Sequence, residues 1–137
     1  MKTIRYLSFI AFLFVLAGTS CQKSPSNNLA DEENITVQTS PVTTGNHVEA
    51  PAPGPTFPLK ITITSKVPSG GVRIDVLARP DGSTTPFFTE SKNSSATDNN
   101  FIITGTPKTV VCVAEITVTS NTKASNKWTG SYRYSSK

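Results

Sequence analysis

Leu59-Lys-Ile-Thr-Ile-Thr-Ser-Lys-Val67 decides the fold. Leu59, Ile61, Ile63 and Val67 fall on one side of an extended chain, and Lys60, Thr62, Thr64 and Lys66 on the other. A period of two is what a half-buried β-strand needs, and it leaves a helix with no apolar stripe. Pro68-Ser-Gly-Gly71 follows as a turn with glycines for positive φ. Val72-Arg-Ile-Asp-Val-Leu-Ala-Arg79 then repeats the alternation with Val72, Ile74, Val76 and Ala78 inward, and Pro80-Asp-Gly-Ser83 closes it. The two segments are expected to lie side by side, as a hairpin or as neighbouring strands of a meander.

Downstream, Pro86-Phe-Phe-Thr-Glu90 reads as a short edge strand, Ser91 to Asn100 as a polar loop, and Phe101-Ile-Ile-Thr104 as another short strand. Lys108 to Thr119 is the longest strand, with Val110, Cys112, Ala114, Ile116 and Val118 on one face. Val111 and Val113 begin its other face, so one end is expected to be covered on both sides. After a turn over Ser120 to Asn126, Lys127 to Tyr134 places Trp128, Tyr132 and Tyr134 in phase. Connections this short hold no crossover helix, which excludes a parallel sheet. The expectation is all-β: a small antiparallel β-sandwich of six to seven strands over 58–137, immunoglobulin-like or fibronectin-like, without the Cys–Trp–Cys spacing of antibody domains.

From Gln22 to Pro58 the chemistry is different. Pro25, Pro41, Pro51, Pro53, Pro55 and Pro58 break up any helix or central strand, and Ala50-Pro-Ala-Pro-Gly-Pro55 favours polyproline II. Residues 21–57 read as a flexible tether, with Ile35-Thr-Val-Gln-Thr as its one strand-like fragment. At the start of the chain, Lys2 and Arg5 precede an uncharged apolar run from Tyr6 to Ala17, shorter than the roughly 20 residues a membrane helix needs. A basic start, a short apolar stretch and the small-residue exit Ala17-Gly-Thr-Ser20 make 1–20 a secretory signal peptide.

That exit runs directly into Cys21, followed by Gln22-Lys-Ser24. The junction resembles bacterial lipoprotein precursors of the signal peptidase II type, in particular the looser boxes of Bacteroidota envelope lipoproteins; Gly18 stands where the family usually carries an aliphatic residue. The resemblance implies that Cys21 is acylated and becomes the mature N-terminus. It further implies a protein held on the cell envelope by its lipid, at the outer membrane, with ordinary secretion as the alternative. Asp31-Glu-Glu33 in the tether reads first as a solvated spacer; it is also similar to surface-export signals of that group, although there the acidic group usually lies nearer the Cys. An acylated Cys21 would leave Cys112 without a disulfide partner.

Composition limits the chemistry further. Among 137 residues there are one His and two Cys, too few for a multi-His metal centre or a disulfide framework. His47 lies in the tether, where nothing fixes its geometry, and Cys112 reads as a packed, inert thiol. Asp98-Asn-Asn100 lacks the full ligand series of a calcium loop, and a sandwich of about 80 residues offers little wall for the sugar cleft that a glycosidase pair among Asp75, Asp81, Glu90, Asp98 and Glu115 would need. No catalytic residue, metal or cofactor is expected, and nucleic acid is excluded as a partner by compartment.

Two surfaces remain as candidates. From Pro58 onward ten Lys and Arg oppose five carboxylates. Lys60, Lys66, Arg73 and Arg79 would form a basic sheet face for an anionic glycan or envelope protein if their strands pair. Trp128, Tyr132 and Tyr134 would form either a core wall or an exposed stacking platform. The function expected is a non-catalytic binding or structural module on a lipid anchor. The alternative is an envelope inhibitor or accessory subunit presenting the 91–100 loop, with a glycan-binding module or small hydrolase behind it.

Overall fold

A computed structural model describes residues 32–43 and 48–137; Cys21, the signal peptide and His47 lie outside the described residues. The strands are β1 (Val37–Ser40), β2 (Phe57–Ile63), β3 (Val72–Pro80), β4 (Phe88–Ser94), β5 (Asp98–Ile103), β6 (Val111–Ser120) and β7 (Lys127–Ser135). They form two antiparallel sheets, β1-β2-β5 and β4-β3-β6-β7, packed as a small β-sandwich. The fourth strand lies beside the third, whereas in a constant immunoglobulin domain it lies beside the fifth.

Burial follows the alternation. Leu59, Ile61 and Ile63 of β2 meet Val72, Ile74, Val76 and Ala78 of β3 and Cys112, Ala114, Ile116 and Val118 of β6, all within 1% of full burial. Fully burying one such aliphatic side chain contributes about 1.5–3 kcal/mol, so this interior is the main stabilising element of the sandwich. Gly71 shapes the β2–β3 connection. It takes φ 73°, and a Cβ there would stand 2.7 Å from the Ser94 carbonyl oxygen.

Four sequence expectations are corrected. First, β2 and β3 do not pair: the β2–β3 connection crosses between the sheets, and β2 pairs with β1 and β5 instead. Alternation records which side of a strand is buried and is silent about its hydrogen-bonded neighbour.

Second, the sandwich begins before residue 57. Ile35 is 5% exposed, and β1 pairs with β2 from Val37↔Ile63 to Ser40↔Lys60. The proline-rich run also docks. Val48 and Ala52 form parallel bridges to Arg133 and Ser136, with Glu49 N–H donating to the Arg133 carbonyl at 2.7 Å. This run covers the free edge of β7, the exposure that a sheet must otherwise blunt by other means.

Third, residues 91–100 are not a loop. They are the end of β4, a turn over residues 95–97, and the start of β5. Strand β4 is an edge that overhangs the narrower sheet. Its positions opposite Ile74 and Val76 are Lys92 and Glu90, both exposed, so no apolar alternation marks it. Inward-pointing charges on an edge strand are a known guard against edge-to-edge association. Lys92 Nζ stands 5.9 Å from the Phe101 ring centroid.

Fourth, Val110 lies outside β6 and is 38% exposed. Val113 is 7% exposed on the outer face of that strand, between its register partners Arg79 and Arg133. Their aliphatic stems are placed to shield it while their guanidinium groups pair with Glu115 and Asp81.

Candidate functional site

The basic face does not assemble. Lys60 is on one sheet, and Arg73 and Arg79 are on the other, because β2 and β3 do not pair. Each of the three is paired with an acid: Lys60 Nζ lies 3.1 Å from Asp98, Arg73 Nε 2.9 Å from Asp75, and Arg79 Nη2 2.5 Å from Glu115. Lys66 lies beyond the end of β2, where its backbone N–H donates to Glu33 at 3.1 Å. The four cations are therefore divided, and three of them stand beside carboxylates.

The aromatic set divides as well. Tyr132 and Tyr134 are 1% and 2% exposed and belong to the core. Their ring centroids lie 5.7 Å apart, and Phe57 stacks on Tyr134 at 4.8 Å with a tilt of 58°. Trp128 is half-buried against the core edge. It lies over Gly130, where an added Cβ would come within 2.3 Å of the indole. Tyr132 and Tyr134 therefore form a core wall, with Trp128 half-buried at its edge.

Tyr132 and Tyr134 back onto a cleft of about 520 Å³. Its origin lies in backbone chemistry. On β2, Ile63 N–H donates toward β5 (to the Thr97 carbonyl, 2.9 Å) and Thr64 N–H toward β1 (to the Thr36 carbonyl, 2.8 Å). Strand alternation then turns the backbone of Thr62, Lys60 and Pro58 toward β1. The last β1 pair is Ser40↔Lys60, and the next position offering groups on that side is Pro58, which has no N–H to give. The ladder stops, and β1 leaves the sheet at Pro41. A gap opens over Phe57 and Leu59, bounded across from them by the docked run at Glu49, Ala50 and Ala52, with Tyr132 and Tyr134 behind.

The cleft is mostly apolar, with few polar groups. The Tyr134 hydroxyl is committed to Thr106 Oγ1 at 3.1 Å, and burial pushes it up to about 12. Burial first, then the neighbouring Tyr134 and Glu49, hold the Tyr132 hydroxyl well above its usual range, so it remains protonated. No hydrogen bond to that hydroxyl is present among the described residues. Neither β4–β5 turn nor cleft rim brings carboxylates together for catalysis, and among the described residues no cluster of three or more His, Cys, Asp and Glu is placed to hold a metal. Cys112 is fully buried, its thiol pushed up by desolvation.

Sequence reading names Tyr132 and Tyr134 but gives no sign of the cleft, because the gap depends on which neighbour β2 takes. The absent N–H of Pro58 is its one sequence-level trace. Neither the scan against protein-family models nor the search of curated proteins finds a match to this chain.

Proposed function

We propose that this chain is a lipid-anchored envelope protein whose β-sandwich is a non-catalytic binding module. The observation that carries the binding role is the cleft, whose volume lies within the range of about 300–1,000 Å³ typical of small-ligand sites and whose walls are apolar with few polar groups. The anchor rests on the Cys21 junction and its resemblance to lipoprotein precursors. The two parts are compatible in placement. The chain enters the sandwich beside Asn126, and the cleft lies at the far end of β7, roughly 25 Å away at about 3.3 Å per strand residue. A ligand site at that end would face away from the membrane.

Metabolic labelling with radioactive palmitate tests the anchor, with Cys21→Ala as control. Cys21-dependent label in the envelope fraction is expected, and equal label in both chains would refute it. Of the segment that the inhibitor alternative would present, residues 95–97 form a turn and the rest is strand.

A further inference from the structure

Of the polar groups that line the cleft, one belongs to a buried side chain that no hydrogen bond engages. Tyr132 is 1% exposed, lines the cleft, and has a hydroxyl with no hydrogen-bond partner among the described residues, while Tyr134 beside it is satisfied by Thr106. Among the described residues the one side-chain nitrogen or oxygen that is both sealed from solvent and unpartnered is Asn99 Oδ1, so the Tyr132 hydroxyl is not sealed in and its donor is available to a guest. The rim does not favour a charged guest. Lys60 is neutralised by Asp98 at 3.1 Å, and Glu49 stands on the opposite wall. A strand-like peptide is disfavoured too, because Pro58 gives the β2 edge an acceptor but no donor at this point.

We infer that the cleft binds a small, uncharged, largely apolar cyclic molecule bearing one oxygen acceptor, an alcohol, ketone or ester, which receives the Tyr132 O–H. The ring system would lie against Phe57, Leu59 and Phe101, and Ile102, at 58% exposure on the rim, would cover its outer side. The oxygen would sit at the back of the cleft, where hydrogen-bond direction selects a ligand and apolar contact supplies affinity. This inference rests on reading the sandwich as a binding module.

Three probes of similar shape separate its elements: naphthalene, 1-naphthol and 2-naphthoate. Each is titrated into the exported chain carrying Cys21→Ala, so that no acyl chain competes, and amide shifts are followed by NMR. Naphthalene and 1-naphthol are expected to shift Phe57, Leu59, Phe101 and Tyr134, with 1-naphthol tighter and 2-naphthoate weakest. Tyr132→Phe should weaken 1-naphthol by roughly three- to ten-fold, the worth of one hydrogen bond, and leave naphthalene unchanged. Ala50→Trp should fill the mouth and abolish both.

The inference is overturned if no probe shifts the cleft, if 2-naphthoate binds best, or if Tyr132→Phe leaves 1-naphthol binding intact. Should Tyr132→Phe fail to fold, the unsubstituted chain decides: 1-naphthol binding no tighter than naphthalene removes the role of the hydroxyl. Silence toward all three probes overturns this inference alone. Absence of Cys21-dependent palmitate overturns the anchored reading and leaves the cleft unaffected.

Discussion

Asn126→Ala should detach β1 from the sandwich. Asn126 is 5% exposed and joins the entering chain to the β6–β7 turn through three hydrogen bonds. Its Oδ1 accepts the Ile35 N–H at 2.9 Å, and its Nδ2 donates to the Glu33 carbonyl at 3.0 Å and to Glu32 Oε2 at 3.2 Å. The Glu33 carbonyl and Glu32 carboxylate lie near solvent, and water replaces the lost donor. The Ile35 N–H is buried and has no replacement, a loss of about 1–3 kcal/mol. A total near 2 kcal/mol follows, equivalent to a Tm lower by roughly 8–16 °C for a domain of this size. Urea unfolding followed by Trp128 fluorescence measures the first quantity. Hydrogen exchange at Ile35 and Val37 shows whether β1 loosens ahead of the rest. Asn121→Ala is the control: it removes one exposed bond, Nδ2 to the Gly70 carbonyl at 3.0 Å, and should stay within about 0.5 kcal/mol. If Asn126→Ala is as mild as the control and exchange at Ile35 is unchanged, β1 is not clamped in the way described.

Further outcomes follow from the core, the thiol and the carboxylates. Ile116→Ala, at 1% exposure, should lose about 2–5 kcal/mol in urea unfolding, whereas Ile102→Ala, at 58%, should remain within about 0.5 kcal/mol; similar losses at both would contradict the assigned face of β5. Cys112 should resist Ellman's reagent at pH 8 until urea unfolds the chain, and prompt native labelling would contradict its burial. Glu32, Asp81 and Asp98 are held below their ordinary values, led by hydrogen bonds from Thr122, Arg133 and Thr62 respectively. Depressed carboxylates stabilise the fold above their ordinary values of 4.5 and 3.8, and that stabilisation is lost as pH falls through the lower folded values. The urea midpoint should therefore stay level from pH 7 to about 5 and fall below about 4.5, and Asp98→Asn should flatten the fall. An unchanged acid limb in that variant would count against it.

What could be read from sequence divides along a physical line. Wherever one strand face is buried and the other wet, as at Leu59 to Ile63 and Val72 to Ala78, residue order gives the strand, its inward set and the class of fold. Edge positions break that link. The β4 face toward the narrower sheet carries Glu90 and Lys92, both exposed, so a true strand resembles a polar loop. Sheet partnership is hidden for a different reason: the β2–β3 connection is short enough for a hairpin, and only packing of the whole core decides that it crosses between sheets. The cleft inherits that difficulty. Tyr132 is conspicuous in the sequence, but its unused hydroxyl depends on β1 ending at Ser40, which in turn depends on Pro58 facing β1. The docked run 48–52 is likewise invisible in a proline-rich composition, since polyproline II and an edge-covering extended segment share nearly the same dihedrals.

The junction of β1 with its clamp also sets how the domain bears load. Any pull delivered through the residues preceding Glu32 draws β1 backward along its own axis, past antiparallel β2. The β1–β2 ladder, from Thr36–Thr64 to Ser40–Lys60, is then strained in shear, all bonds together, and Asn126 holds the end where tension enters. A strand attached the other way round would peel one bond at a time. The arrangement makes the short first strand a mechanical latch, suited to a domain held at one end while something tugs on the other.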